Sequence, residues 1–138
     1  MPVHDFFHQA VKNALIKDGW TITHDPLTVL FGNINLHIDL GAERLLAAEK
    51  GSQRIAVEIK NFLSPSMVSE FHTALGQFLN YQIVLEENDP ERRLYLAIPE
   101  DAYKEFFSME ITRKIIQRHQ VKLIVFRPEQ EVIAQWTK

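Results

Sequence analysis

The stretch RIAVEIKNF, residues 54–62, alternates as a β-strand should and decides how the rest of the chain is read. Its aliphatic face consists of alternate residues, Ile55, Val57 and Ile59. Glu58 and Lys60 project together from the opposite face. A carboxylate and an ammonium on one face of a strand indicate either an ordinary cross-strand ion pair or part of a catalytic site. The neighbouring elements must distinguish these two interpretations.

The segments before this strand predict further strands. ERLLAAE, residues 43–49, and QRIAVEIK, residues 53–60, flank a short turn at Lys50-Gly51-Ser52, which predicts an antiparallel hairpin. INLHIDL, residues 34–40, alternates as well. Its apolar face comprises Ile34, Leu36, Ile38 and Leu40, and its polar face comprises Asn35, His37 and Asp39. If this strand and the hairpin belong to one sheet, Asp39 shares a face with Glu58 and Lys60.

Helical periodicity appears on both sides of these strands. A first helix is predicted from about Val3 to Lys17, ended by Asp18-Gly19, and WTITHDP forms a short strand that stops at Pro26. A long helix of some twenty residues begins after Ser66, a candidate N-cap. Later elements are predicted in the order strand RRLYLAIP, a helical stretch over 101–120 broken near Ser108, and strands VKLIVF and EVIAQW. The order predicts a single α/β or α+β domain over residues 1–138, with one mixed central sheet flanked by helices.

Composition limits the classes of function. The chain has 138 residues and no cysteine, which excludes disulfides and thiolate metal sites. No apolar run is long enough for a membrane span, and the first residues do not resemble a signal peptide, so we expect a cytoplasmic protein. The net charge of −3 gives no overall attraction to phosphates. A local basic group, free of acids over residues 111–128, contains Arg113, Lys114, Arg118, Lys122 and Arg127, and is most simply a solvated helix face.

If Asp39, Glu58 and Lys60 lie together, their side chains suit a metal-dependent active site. Two carboxylates close together repel each other, and a divalent cation between them relieves that repulsion. Oxygen ligands of this kind suit Mg²⁺ or Mn²⁺, completed by water and a substrate phosphate. A lysine on the same side of the strand can orient the attacking water or stabilise the phosphorus centre. The pattern predicts a metal site at Asp39 and Glu58 and a nuclease-type mechanism with Lys60.

Two residues of the long helix are further candidates for the same site. Gln77 and Tyr81 are four residues apart and therefore lie on one face of the helix that follows the Glu58 strand. Their amide and phenol could contact a metal-bound water or a nucleic-acid backbone. His4 and His8 likewise share a helix face, and His8 could approach Asp39 from the first helix.

A purely structural interpretation of the same residues stands beside the catalytic one. Glu58 and Lys60 could pair with Arg54, Glu49 or Arg44 across the hairpin, as exposed charges often do. Asp39 could instead cap the turn at Gly41, and Gln77 and Tyr81 could be ordinary surface residues.

Several longer motifs, in this order, resemble the XisH family. They are VKNALIKDGWTITHDP, IDLGAERLLAAEKG, IAVEIKNF, ALGQF and LYLAIP, and the similarity extends from about Pro2 to Trp136. The members of that family are named excision controlling factors for the fdxN element, a DNA segment that is removed from the chromosome during cell differentiation. The resemblance implies a restriction-endonuclease-like fold with an Asp…(Asp/Glu)-x-Lys site.

Residue by residue, the resemblance assigns the first acid to Asp39, the second to Glu58 and the lysine to Lys60. Gln77 and Tyr81 match the Gln-x-x-x-Tyr pattern of RecB-like members of the fold. The usual Pro-Asp is Ile38-Asp39 here, a departure that affects recognition more than mechanism. The resemblance also implies DNA, a separate site-specific recombinase and the small protein XisI as partners, and analogy with restriction-like folds gives a homodimer as the expectation.

Two functions follow from these observations. In the first, the protein is a Mg²⁺- or Mn²⁺-dependent DNA endonuclease that uses Asp39, Glu58, Lys60, Gln77 and Tyr81. In the second, the fold is retained in a catalytically inactive regulatory protein, which controls excision through contacts with the recombinase, XisI or DNA.

Overall fold

The computed structural model of the chain describes residues 2–45 and 52–137. Its helices are α1 (Val3–Lys17), α2 (Met67–Asn88), the short α3 (Glu100–Ala102), a π-helical turn (Tyr103–Phe107) and α4 (Glu110–Arg118). Its strands are β1 (Thr21–His24), β2 (Leu27–Phe31), β3 (Ile34–Ile38), β4 (Leu40–Leu45), β5 (Ser52–Ile59), β6 (Arg93–Pro99), β7 (Leu123–Arg127) and β8 (Val132–Trp136). The predicted α+β class is confirmed.

One mixed sheet of six strands, in the order β1-β4-β5-β6-β7-β8, forms the centre. Strands β5, β6 and β7 are parallel, and β1, β4 and β8 are antiparallel to their neighbours. The antiparallel pairing of β4 with β5 confirms the predicted hairpin, although most of its predicted turn falls outside the described residues. Strand β5 lies inside the sheet, and its last residues, 55–59, are buried on both faces.

Helices cover the two faces of this sheet. On one face, α1 packs its apolar stripe against the alternate aliphatic residues of β5 predicted above. On the other face, α2 packs Phe71, Ala74 and Phe78 against a cluster that includes Ala56. Because successive side chains of a strand point to opposite faces, Glu58 lies on the α2 side with Ala56. The Glu58 side chain therefore lies between the sheet and the helix that carries Gln77 and Tyr81.

Strand β3 does not belong to the main sheet, contrary to the arrangement assumed from the sequence. It pairs with β2 in a separate two-stranded sheet, and the chain bends at Asp39 before it enters β4. Strand β2 was not predicted from the sequence. In LTVLF, Leu27 and Val29 are buried, whereas Leu30 and Phe31 are apolar but exposed. Apolar and polar residues therefore do not alternate along the stretch, and the sequence shows no clear strand pattern there. Asp39 thus stands at the junction of two sheets rather than on the face of either.

The predicted helix over residues 101–120 is interrupted, as expected near Ser108. A π-helical turn ends at Phe107, and α4 begins at Glu110. Within residues 2–45 and 52–137, no helix is long and apolar enough to cross a membrane. Of the basic group, Arg113 and Lys122 help to line a cavity of about 450 Å³, and Arg127 pairs with Glu100.

Candidate metal-dependent active site

Two reciprocal hydrogen bonds join Asp39, at the sheet junction, to Glu58 and Ile59 at the end of β5. The backbone N–H of Asp39 donates to Oε1 of Glu58 over 3.3 Å. The backbone N–H of Ile59 donates to Oδ2 of Asp39 over 2.8 Å. The bend after β3 therefore places the Asp39 carboxylate against the end of β5, next to the side chain of Glu58. The two acids are adjacent, as predicted. Asp39 reaches Glu58 from a bend between two sheets, however, and not from a strand of the same sheet.

The electrostatics of Glu58 show how close the two acids are. Burial, followed by the negative charge of Asp39, raises the pKa of Glu58 to about 7. Lys60 and the Asp39 backbone N–H oppose this increase. Glu58 is only 8% exposed, so solvent does little to relieve the repulsion. Near neutral pH, the negative charge of Asp39 and Glu58 therefore exceeds the positive charge that Lys60 supplies.

Lys60 provides one positive charge at the site. Its Nζ lies 3.7 Å from Oε2 of Glu58, and the side chain retains 20% exposure. The backbone N–H of Lys60 donates to the carbonyl oxygen of Ala97 on β6. The lysine is thus fixed at its backbone by the parallel sheet, while its ammonium remains partly accessible beside the carboxylates.

Helix α2 brings Tyr81 to the same region. Burial and then the charges of Glu58 and Asp39 raise the pKa of the Tyr81 phenol, so the ring lies within electrostatic reach of both acids. Gln77, one turn earlier, has a buried Oε1 atom that finds no hydrogen-bond partner among the described residues. Neither residue is an ordinary surface side chain. The orphaned amide oxygen indicates that Gln77 is available to a group that the protein chain does not supply.

Arg54 and Arg44, two of the alternative partners of Glu58, make other contacts among the described residues. Arg54 pairs with Asp89 at 2.6 Å, and Arg44 donates a hydrogen bond to Gln53. Glu49 lies outside the described residues. Gly41 forms part of β4 rather than a turn that Asp39 would cap.

The segment after Lys60 is held by an acid from α2. Phe62 has a φ of 56°, in the left-handed region, and its ring is buried among other phenylalanines. Glu70 accepts the backbone N–H of Phe62 at 2.6 Å and that of Ser64 at 3.2 Å. The strained backbone is therefore stabilised by the same helix that carries Gln77 and Tyr81.

Two histidines also approach Asp39, from the α1 side of the sheet. One ring nitrogen each of His4 and His8 and one oxygen of Asp39 lie within 4.8 Å of one another. The shared helix face of the two histidines and the approach of His8 to Asp39 were predicted from the sequence. The approach of His4 was not, because the sequence does not specify how α1 lies on the sheet.

The residues present fit the divalent cation that the family resemblance implies. Asp39 and Glu58 offer carboxylate oxygens, which are the ligands that Mg²⁺ and Mn²⁺ prefer. The raised pKa of Glu58 indicates a deficit of positive charge at this point. On α2, the Oε1 atom of Gln77 is a further buried acceptor without a partner among the described residues.

Comparisons with known proteins identify relatives over nearly the whole chain. The family model described as XisH protein matches residues 1–134. An XisH family protein from Nostoc punctiforme PCC 73102 is 51% identical, with a TM-score of 0.88 and coverage of 97% of this chain and 100% of that chain. An fdxN element excision controlling factor protein from Anabaena variabilis is 52% identical, with a TM-score of 0.88 and coverage of 97% and 99%.

A comparison with curated proteins gave no match. The residues that the family model matches include Asp39, Glu58, Lys60, Gln77 and Tyr81. The chain therefore belongs to the XisH family.

Proposed function

We propose that this protein is a DNA-element excision controlling factor with a restriction-endonuclease-like fold, and that it acts as a Mg²⁺- or Mn²⁺-dependent DNA endonuclease. The proposal includes a site-specific recombinase and an XisI-type protein as partners, and a homodimer as the working assembly. The observation that supports cleavage most directly is that reciprocal backbone hydrogen bonds hold Asp39 next to Glu58, with the Lys60 ammonium beside Glu58, at the end of a buried strand.

The chain's own residues would divide the work as follows. Asp39 and Glu58 hold the cation, which when bound supplies a more acidic water and neutralises charge on the phosphodiester. Lys60, with 20% of its side chain exposed, orients the attacking water and stabilises negative charge on the phosphate oxygens. Tyr81 and Gln77, four residues apart on α2, would hydrogen bond to water or to the DNA backbone.

A repelling acid pair is costly to maintain unless it is used. Each charge in a buried site must be offset by an opposite charge or by hydrogen bonds, and Lys60 alone leaves the pKa of Glu58 near 7. A protein that only bound its partners would gain nothing from this arrangement. The net charge of −3 also means that DNA must be held locally, through the bound cation and Lys60, rather than by the whole surface.

Nicking of supercoiled plasmid tests the proposal. The wild-type protein, incubated with Mn²⁺ and in parallel with Mg²⁺, is expected to convert supercoiled to open-circular DNA. Lys60→Met and Asp39→Asn should lose at least about 100-fold of this rate, in the range found when a charge-stabilising group is removed from an active site. Lys114→Met, an exposed lysine on α4, serves as the matched control and should retain the rate.

The assay must be run with and without an XisI-type partner, because that partner could complete the site. Nicking that persists equally in Lys60→Met would identify a contaminating nuclease. No nicking under either condition would contradict the endonuclease proposal.

The second candidate function is control of excision through contacts without turnover. The tip of the β2–β3 hairpin favours it, because Leu30, Phe31 and Ile34 are 52%, 47% and 58% exposed there. Clustered exposed apolar side chains often mark a protein-interaction surface. If this candidate is correct, Leu30→Asp should abolish co-purification with the XisI-type protein or the recombinase, while wild type and Lys60→Met behave alike in the plasmid assay.

A further inference from the structure

The cavity of about 450 Å³ lies between the π-helical turn, α4 and the start of β7. Its volume falls in the range of about 300–1,000 Å³ that is typical of small-molecule sites. Leu123 of β7, which lines the cavity, is in register with Leu96 of β6, and Leu96 is in register with Glu58. Leu123 is therefore two strands, or about 10 Å, from Glu58. None of the five candidate active-site residues lines this cavity.

The apolar part of the lining includes two aromatic side chains. Tyr103 and Phe107 are the first and last residues of the π-helical turn, and both line the cavity. Ile116, Val121 and Leu123 complete its apolar surface. π-Helical turns are rare in proteins and occur frequently at functional sites. This lining suits the flat, apolar body of an aromatic ligand.

The charged part of the lining is basic. Arg113 and Lys122 line the cavity, and no aspartate or glutamate of the described residues does. Neither side chain takes part in an ion pair between described residues, whereas Arg127 is paired with Glu100. A cavity lined in this way attracts an anion. Arginine is also suited to a carboxylate or a phosphate, which it binds through two parallel hydrogen bonds.

The cavity divides the basic group of residues 111–128 into two sets. Lys114 and Arg118 are exposed and do not line it, and a solvated helix face describes them well. Arg113 comes from α4 and Lys122 from the residue just before β7, so two separate elements bring a cation to one cavity. A solvated helix face does not account for this second set.

The end of α4 supplies an independent observation. The backbone N–H of Val121 donates to the carbonyl oxygen of Ile116 over 3.0 Å, and that of Gln120 donates to Gln117 over 3.2 Å. These two bonds form a Schellman motif, in which the left-handed residue is usually glycine. Here that residue is Gln120, with a φ of 53°, and it lines the cavity. A strained position that retains an amide side chain beside a cavity points to a ligand that uses the amide.

We propose that this cavity binds a small aromatic anion, a flat apolar ring that carries a carboxylate or phosphate group. The ring packs against Tyr103 and Phe107, and the anionic group binds Arg113 and Lys122. The side-chain amide of Gln120 hydrogen bonds to a polar atom of the ligand. The proposal depends neither on a bound metal ion nor on DNA cleavage.

Titration calorimetry of the full chain in EDTA, with 2-naphthoate and with 1-naphthyl phosphate, tests the site. At least one of these anions is expected to bind the wild type with a Kd below about 1 mM. The neutral 2-naphthamide should bind at least about tenfold more weakly, because it lacks the charge. Arg113→Gln and Lys122→Gln should each weaken binding of the anion at least about fivefold. Arg118→Gln removes the same charge from the same helix outside the cavity, and this matched control should bind as the wild type does.

Gln120→Gly protects the test against loss of folding. Glycine is preferred at a left-handed helix end, so this variant should unfold at a higher urea concentration than the wild type. It should nevertheless bind the anion at least about threefold more weakly, because the amide is lost. Lys60→Met should bind the anion as the wild type does, which separates this cavity from the candidate active site.

Equal affinity of the wild type and the Arg113→Gln, Lys122→Gln double variant would overturn the proposal. So would binding of 2-naphthamide as tight as that of 2-naphthoate, or no binding of either anion with a Kd below about 1 mM.

Discussion

Glu70 accepts the backbone N–H of Phe62 over 2.6 Å, and this contact joins the first turn of α2 to the segment that follows Lys60. The other oxygen of the same carboxylate accepts the N–H of Ser64. One side chain thus satisfies two backbone donors in a stretch where Phe62 has a left-handed backbone. The position of Lys60 relative to α2 depends on this bridge.

Removal of the Glu70 carboxylate should loosen the residues after β5. In Glu70→Ala the amides of Phe62 and Ser64 lose their acceptor, so their hydrogen exchange should accelerate at least about tenfold. Glu70→Gln retains one acceptor oxygen and should give an intermediate rate. Exchange measured residue by residue by NMR checks both variants. Glu87→Ala, exposed near the end of α2, is the control, and acceleration there of the same size would show a general effect of helix charge instead.

The stability of the protein should fall as pH rises through the titration range of Glu58. The folded-state pKa of Glu58 is about 7, above its ordinary value of 4.5, so the folded state binds the proton more tightly than the unfolded state does. Between these two values the unfolded chain has released a proton that the folded chain still holds, and the free energy of unfolding decreases with pH. Above pH 7 the full loss is present, about 3 kcal/mol.

Glu58→Gln removes this dependence and isolates it from other titrating groups. Urea unfolding of wild type and variant at pH 5 and pH 8 provides the measurement. The variant should gain stability relative to the wild type at pH 8, and the gap should shrink toward pH 5. A gap of equal size at both pH values would show that Glu58 titrates normally.

Lys60 should hold the pKa of Glu58 down. Because its positive charge lowers that pKa in the folded protein, Lys60→Met is expected to raise the pKa of Glu58 above 7. Carbon-13 NMR of the glutamate side-chain carboxyls, followed over pH, measures the shift directly. Lys114→Met should leave the titration curve of Glu58 unchanged, and a curve that is also unchanged in Lys60→Met would remove the electrostatic role of the lysine.

The N-cap of α2 should contribute measurably to stability. The Oγ atom of Ser66 accepts the backbone N–H of Ser69, and the Ser66→Ala variant leaves that donor without its partner. The expected loss in the free energy of unfolding is about 1 kcal/mol, seen in denaturant unfolding. Ser69→Ala retains the capped N–H and should lose less. If the two variants were equally destabilised, the cap would not be the cause.

Helices α1 and α2 were predicted correctly because the residues that determine where they begin are close together in the sequence. The stripe of apolar residues in α1 and the Ser66 cap gave both helix starts correctly, because each is set by neighbours within one or two turns. The burial of β6 followed from its continuous apolar run. These features need no knowledge of distant residues.

The candidate site was predicted for a partly incorrect reason. We placed Asp39 on a strand of the main sheet, whereas it lies in the bend between β3 and β4. What brings it to Glu58 is a backbone hydrogen bond from Ile59, a contact between segments that no periodicity encodes. The approach of His4 depends similarly on how α1 lies across the sheet. Pairings between distant segments are decided by packing of the whole domain, and a single sequence carries little signal for them.

The helix that carries His4 begins without a side-chain cap, since Pro2 precedes it and donates no capping oxygen. Glu58 sits on an interior strand whose backbone is paired on both sides, whereas no side chain caps the first turn of α1. Local opening of the domain should therefore begin at the start of α1 and reach Glu58 last.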